Sequence, residues 1–128
     1  MIKFIKTFCL SLAIAASLPS LAIAEPHIAP FTPSVRQIIV KQAVFYATPI
    51  QPLLQVALCE STMRVDAFNP RDVDGLPAYG LFQFKMATFL RYAKLAGIEK
   101  PDIWNAEQQA KTAAYMFSTG QKKQWGCK

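Results

Sequence analysis

A cysteine in the middle of the chain, Cys59, and another beside its C-terminus, Cys127, set the tightest limit on how it can fold. The third, Cys9, lies in a segment expected to be removed. Residues 1–24 open with MIKFIK, which carries Lys3 and Lys6 and no acid. They continue through the apolar run Phe8 to Ala16, break at Pro19-Ser20 and reach the small-residue pattern Ala22-Ile23-Ala24. That order is the order of a secretory signal peptide cut after Ala24, leaving a single domain over 25–128. The apolar run is short for a membrane span of about 20 residues, and no small residues precede Cys9 as they would before a lipid-modified cysteine. Export to an oxidising compartment then leaves an even pair of cysteines, which reads as a disulfide between Cys59 and Cys127. Closing so long a loop contributes about 4 kcal/mol in the chain-entropy model. That is a large share of the stability of a short domain with a thin core. A zinc site fails on inventory, because His27 and the two cysteines are too few ligands.

The rest of the chain reads as helices separated by proline and glycine. Residues 25–33, EPHIAPFTP, form an extended leader that carries His27. A first helix is expected from Thr32-Pro33, with proline at its first position, to about Ala47, where Pro49 forces an end. The second helix is capped by Thr48 or by Gln51, each followed by a proline, and runs to about Val65. Residues 66–79, DAFNPRDVDGLPAY, are a turn-rich loop with room for a short hairpin. A third helix covers 86–96 with Gly97 as its C-terminal cap. A fourth starts after Asn105, where N-x-x-Q supplies a cap and a weak box, turns Ala106, Ala110, Ala113 and Phe117 inward, and stops at Gly120. The fold class is therefore mainly α, with a polar loop or hairpin beside the second helix.

That helix raises a chemical question. Leu53, Val56 and Ala57 precede Glu60 by seven, four and three residues, and Met63 follows it by three, so the carboxylate falls on an apolar stripe. An ionised carboxylate is costly there. One reading is a helix-edge residue that reaches water. The other is a general acid, because apolar surroundings raise a carboxyl pKa and keep its proton available near neutral pH. Downstream, Gly80-Leu81-Phe82-Gln83-Phe84 and Thr88 follow the loop. Gly80 allows close backbone approach, Tyr79 and Phe82 offer flat faces to sugar rings, and Gln83 offers both a donor and an acceptor. The same segment also reads as the start of a buried strand or helix.

Taken together, C-E-S (Cys59 to Ser61), G-L-F-Q-F (Gly80 to Phe84), Thr88, E-Q-Q (Glu107 to Gln109) and W-x-C (Trp125 to Cys127) resemble the lysozyme-like superfamily. Lytic transglycosylases carry E-S followed by G-L-M/F-Q. Resuscitation-promoting-factor domains add the cysteine before the glutamate and the tryptophan-cysteine ending. The resemblance covers roughly residues 53–128 and implies an α+β lysozyme-like fold. It makes Glu60 the catalytic acid and places Gln83, Tyr79, Phe82, Thr88 and Trp125 along a glycan groove. The A-Y-N motif of larger members is absent, and Tyr115 in A-A-Y-M reads as helix interior, so no residue is assigned to orient Glu60.

The expected function is a secreted or periplasmic enzyme of the cell envelope. It would cleave β-1,4 bonds between N-acetylmuramic acid and N-acetylglucosamine in peptidoglycan, without a cofactor or metal. With one acid the reaction is a transglycosylation; a muramidase-type hydrolysis would need a second carboxylate from Asp66, Asp72 or Asp74, which otherwise serve as turn residues. Asp72-Val73-Asp74-Gly75 is like the start of a calcium loop but lacks the twelfth-position acid. The alternative is a peptidoglycan-binding or assembly protein with little or no catalysis, attached to an envelope-spanning secretion or assembly complex. The basic pI of 9.4 suits an anionic wall. Scattered lysines behind a signal peptide argue against nucleic acid as a partner. The mature chain is expected to be a monomer free of the membrane.

Overall fold

A computed structural model describes residues 31–127. The expected signal peptide, and most of the leader including His27, lie outside the described residues. Four helices, α1 (Val35–Phe45), α2 (Ile50–Ser61), α3 (Met86–Leu95) and α4 (Ala106–Ser118), surround a common core, with two short strands, β1 (Phe68–Asn69) and β2 (Ala78–Tyr79), between α2 and α3. The fold is mainly helical with a small antiparallel sheet, as the sequence indicates. The strands pair Phe68 opposite Tyr79 and Asn69 opposite Ala78.

α4 is the hub, and its composition explains why. Ala110, Ala113 and Ala114 are fully buried, and their small side chains let α1, α2 and α3 pack against it. The inner face is wider than the expected stripe: Gln109, Thr112 and Met116 are also fully buried. Asn105 caps α4 by accepting from Gln108 N–H. Gln108 does not complete the expected box, because its amide accepts from Asp102 N–H at 2.7 Å and donates to Lys100 carbonyl at 3.3 Å. Phe82, Phe89, Ile39, Leu53 and Leu81 fill the core around Met116.

Helix ends correct the expectation at three places. α1 starts at Val35, not Pro33, because Ser34 and Gln37 form a capping box that satisfies two backbone donors. Neither Thr48 nor Gln51 caps α2; the position belongs to Pro49, with no side-chain bond, and the buried Thr48 hydroxyl has no partner among the described residues. Pro52 is tolerated because it falls in the first turn, where backbone N–H groups have no intrahelical acceptor. α2 also ends at Ser61 rather than near Val65. Thr62 and Met63 adopt φ of 53° and 65°, and Arg64 N–H turns back to the Ser61 hydroxyl and carbonyl at 3.1 and 3.2 Å. A serine side chain competing for local backbone groups stops the helix one residue after the glutamate.

The C-terminal segment closes the domain. After α4 a single 3₁₀ turn, Gln121–Gln124, leads to Trp125. Trp125 Nε1 donates to Phe82 carbonyl at 2.7 Å, and its ring packs with Phe82, Phe84 and Phe117. Two residues later Cys127 is disulfide-bonded to Cys59, with Cα atoms 6.2 Å apart.

Candidate active site

Glu60 sits in the last turn of α2. The residues before and after it on the inner face, Ala57 and Ser61, are buried, while Leu58 and Cys59 are exposed. The carboxylate is therefore at the margin of the apolar stripe rather than on its centre line, and it is half-buried. Among the described residues no side chain donates to it. Burial first, and the negative charge of Asp72 second, push its carboxyl above the usual carboxylate range. A raised pKa is the direction of shift that suits a general acid.

Two open clefts meet at Glu60 and Gln83. One, of about 260 Å³, lies between the polar loop, α3 and the C-terminal segment and is lined by Asp72, Val73, Phe84, Lys85, Thr88, Met116, Gln124 and Trp125. The other, of about 350 Å³, lies between the end of α2 and β1, where Arg64, Phe68 and Asn69 form the wall. Glu60 and Gln83 belong to both, so the carboxyl stands at the waist of a two-lobed groove.

The turn that carries Gln83 is held from below. Gly80 has φ of 72°, and a β-carbon there would overlap the Gln109 amide. Gln109 Oε1 accepts from Leu81 N–H at 2.6 Å, and its Nε2 donates to Val65 carbonyl at 3.1 Å. The Ser61 hydroxyl donates to Leu81 carbonyl at 2.9 Å. The residue following the glutamate thus ties the end of α2 directly to the G-L-F-Q turn. Gln83 itself has φ of 47° and spends Nε2 on Gly80 and Ala67 carbonyls, at 3.0 and 3.3 Å. Its Oε1 has no donor among the described residues and remains an acceptor at the groove.

The expected groove residues divide. Gln83 and Thr88 line the cleft, and Trp125 contributes a largely buried wall. Phe82 corrects the expectation: it is fully buried and stacks in the core, so it presents no face to a ligand. Tyr79 is half-buried, its ring 5.2 Å from that of Phe68 and 5.6 Å from that of Trp104, and it is not among the residues lining either lobe. Phe68 occupies the ring position instead, 52% exposed on the cleft wall. Tyr115 packs edge-on against Tyr46.

The loop aspartates build a cage around an ammonium group. Lys85 Nζ donates to Asp72 Oδ2 and Asp74 Oδ1, both at 2.8 Å, and to Leu76 carbonyl at 3.0 Å. Asp74 also accepts from Leu76 N–H, and Asp72 Oδ1 accepts from Asn69 at 3.5 Å. The calcium-like spacing is used by a lysine of the same chain. Lys85 chiefly, and backbone N–H groups after it, hold both aspartates below the usual range. Desolvation pulls Lys85 downward, and the bonds to the two aspartates more than offset it. Asp66 is exposed and stands outside both lobes.

Arg64, Asn69 and Gln124 are lining residues that sequence reasoning did not single out. Arg64 and Asn69 lacked a readable signal, because the left-handed turn at Thr62-Met63 contains no glycine or asparagine. A cleft of about 490 Å³ also lies between α1 and the start of α4. Its ion pair, Lys41 with Glu107, is largely solvated, so the half-buried Glu60 marks the better candidate for chemistry. No protein-family model, curated protein or solved structure matches the chain.

Proposed function

We propose that this protein is a secreted or periplasmic peptidoglycan-cleaving enzyme, a lytic transglycosylase in which Glu60 is both acid and base. The observation that carries the reading is the position of Glu60: half-buried, raised in pKa and centred in a two-lobed groove. A polymer crossing that groove would pass over the carboxyl with a residue on either side. The resemblance of C-E-S and G-L-F-Q to lysozyme-like enzymes supports the same assignment, and the Ser61–Leu81 bond gives those two motifs a shared structural purpose.

In this reading protonated Glu60 donates to the oxygen linking N-acetylmuramic acid to N-acetylglucosamine, and the bond from that oxygen to the muramyl C1 breaks. The resulting carboxylate takes the proton from the muramyl 6-hydroxyl as O6 bonds to C1. A 1,6-anhydro ring forms, no water is consumed, and Glu60 regains its proton. Gln83 Oε1 and Thr88 supply polar contacts to hydroxyl or acetamido groups. Asp72 is the one loop aspartate in the groove, but both its oxygens are engaged by Lys85 and Asn69. That favours a single-acid route over a hydrolase with a second carboxylate.

The absence of a donor to Glu60 among the described residues favours a second reading, a glycan-binding component of an envelope-spanning assembly with little catalysis. Incubating the disulfide-bonded protein with purified sacculi distinguishes them. Mass spectrometry of released fragments should find 1,6-anhydromuramyl ends, one water lighter than hydrolysis products, and none from Glu60→Gln. Hydrated reducing ends would indicate a hydrolase. Release of no fragments at all would leave the binding reading.

A further inference from the structure

The two lobes of the groove differ in the charge they offer a ligand. In the lobe beside α3, the lysine and aspartate that reach the wall are bonded to each other. In the lobe beside β1, Arg64 is the one charged lining residue other than Glu60 among the described residues. Among the described residues nothing hydrogen-bonds or ion-pairs with its guanidinium.

The backbone around Arg64 is not casually placed. Two consecutive non-glycine residues, Thr62 and Met63, take left-handed φ angles, a costly conformation for L-residues. Arg64 N–H is then fixed by Ser61, whose hydroxyl also holds the Leu81 carbonyl. The arginine is thus referenced to the same serine that joins the Glu60 helix to the Gln83 turn. Beside it stand the exposed ring of Phe68 and the amide of Asn69. A planar guanidinium and an aromatic face suit a sugar that carries a carboxylate.

We propose that Arg64 forms a carboxylate subsite that sets the register in which a glycan crosses Glu60. The acid-bearing sugar lies in the Arg64 lobe with its ring on Phe68, and the neutral N-acetylated sugar lies in the other. In a strand of alternating residues, that register determines which of the two sugars stands on each side of the carboxyl. This rests on the glycan-cleaving reading above and adds the residue that chooses the register. The carboxylate is the lactyl group of a stem-free strand or belongs to the stem peptide, and Arg64 would bind either.

The test is calorimetric titration of the Glu60→Gln protein with three short muramyl glycan fragments: stem-free with the lactyl carboxylate, stem-free with that carboxyl reduced to an alcohol, and stem-bearing. Adding Arg64→Ala should weaken binding of a carboxylate fragment by about tenfold or more, the loss of one charge-assisted bidentate contact, and leave the reduced fragment unaffected. Arg64→Lys should restore part of the loss, and Arg64→Glu should exceed it. Dependence confined to the stem-bearing fragment assigns the carboxylate to the peptide, and dependence on the stem-free acid assigns it to the lactyl group. Equal binding of all fragments with and without Arg64 overturns the subsite. If sacculi are still cleaved in that case, the enzymatic reading survives it; if Arg64-dependent binding persists without cleavage, the subsite survives the enzymatic reading. Failure of the parent to bind any fragment overturns both.

Discussion

Gly80 and Gln109 occupy each other's space: the missing side chain of one is where the amide of the other enters the G-L-F-Q turn. Gln109 is fully buried and bonded at both ends of its amide, so it braces the Glu60 helix exit against the turn that presents Gln83. Gly80→Ala meets a left-handed φ and this overlap together. It should destabilise by several kcal/mol, since the left-handed conformation alone costs about 1–2. Gln109→Leu should leave Leu81 N–H and Val65 carbonyl without partners, at about 1–3 kcal/mol each. Denaturant midpoints measure both. A Gly80→Ala protein as stable as the parent would show that the turn and amide can move apart.

The disulfide joins the residue before Glu60 to the segment anchored by Trp125. Reduction, or Cys127→Ser, should lower stability by about 2–5 kcal/mol. It should also loosen the cleft wall that Trp125 and Gln124 provide. Thermal melts with and without reductant read the first effect, and amide exchange at 121–127 reads the second. Labelling of the unreduced protein by a thiol reagent after unfolding would contradict the bond.

What was legible in the sequence was local. Asn105 and Gly97 were readable as helix boundaries because a cap is a property of one side chain or one φ angle. The position of Glu60 was readable to within one residue of its helix face, since periodicity blurs at an edge. The cysteine pair needed only the expected removal of Cys9 and a count. The rest depends on pairings across the chain. Phe82 leaves the expected groove for the core, while Gln83, at positive φ where the chain doubles back, keeps its place there. Trp125 is a wall rather than a platform because its N–H finds the Phe82 carbonyl, 43 residues away. Asp72 enters the groove because Lys85 gathers the loop. No local pattern carries that information.

Asp72 gives a prediction about the acid. Its negative charge is the second cause, after burial, of the raised Glu60 pKa. Asp72→Asn removes that charge while retaining a polar group for Asn69. The Glu60 pKa should fall toward the ordinary range, and the alkaline limb of the pH–rate profile should move to lower pH. Lys85 would lose one ionic partner and keep Asp74 and the Leu76 carbonyl, so the loop should remain folded. An unmoved limb would mean that burial alone tunes Glu60. Complete loss of activity with the fold intact would instead make Asp72 a participant in the reaction.

Glu60→Gln separates the acid's cost to the fold from its use in the reaction. A carboxyl whose folded pKa is raised holds its proton more tightly in the native state than in the unfolded chain. At pH below the unfolded value both states are protonated, and the parent and the Gln protein should be about equally stable. As pH rises toward the folded pKa, the unfolded chain ionises first, and the parent loses stability relative to the variant. Above the folded pKa the deficit is complete and no longer changes with pH. Asp72 and Asp74, whose pKa values are lowered, stabilise above their unfolded values and lose that contribution as pH falls through their folded ones. That loss occurs in both proteins and largely cancels in the difference. Paired denaturation curves from acid to neutral pH should therefore show the Gln protein gaining an advantage as pH rises, while cleavage falls by about a hundredfold or more. A difference independent of pH would place Glu60 in solvent, and the desolvation on which its role as an acid depends would be absent.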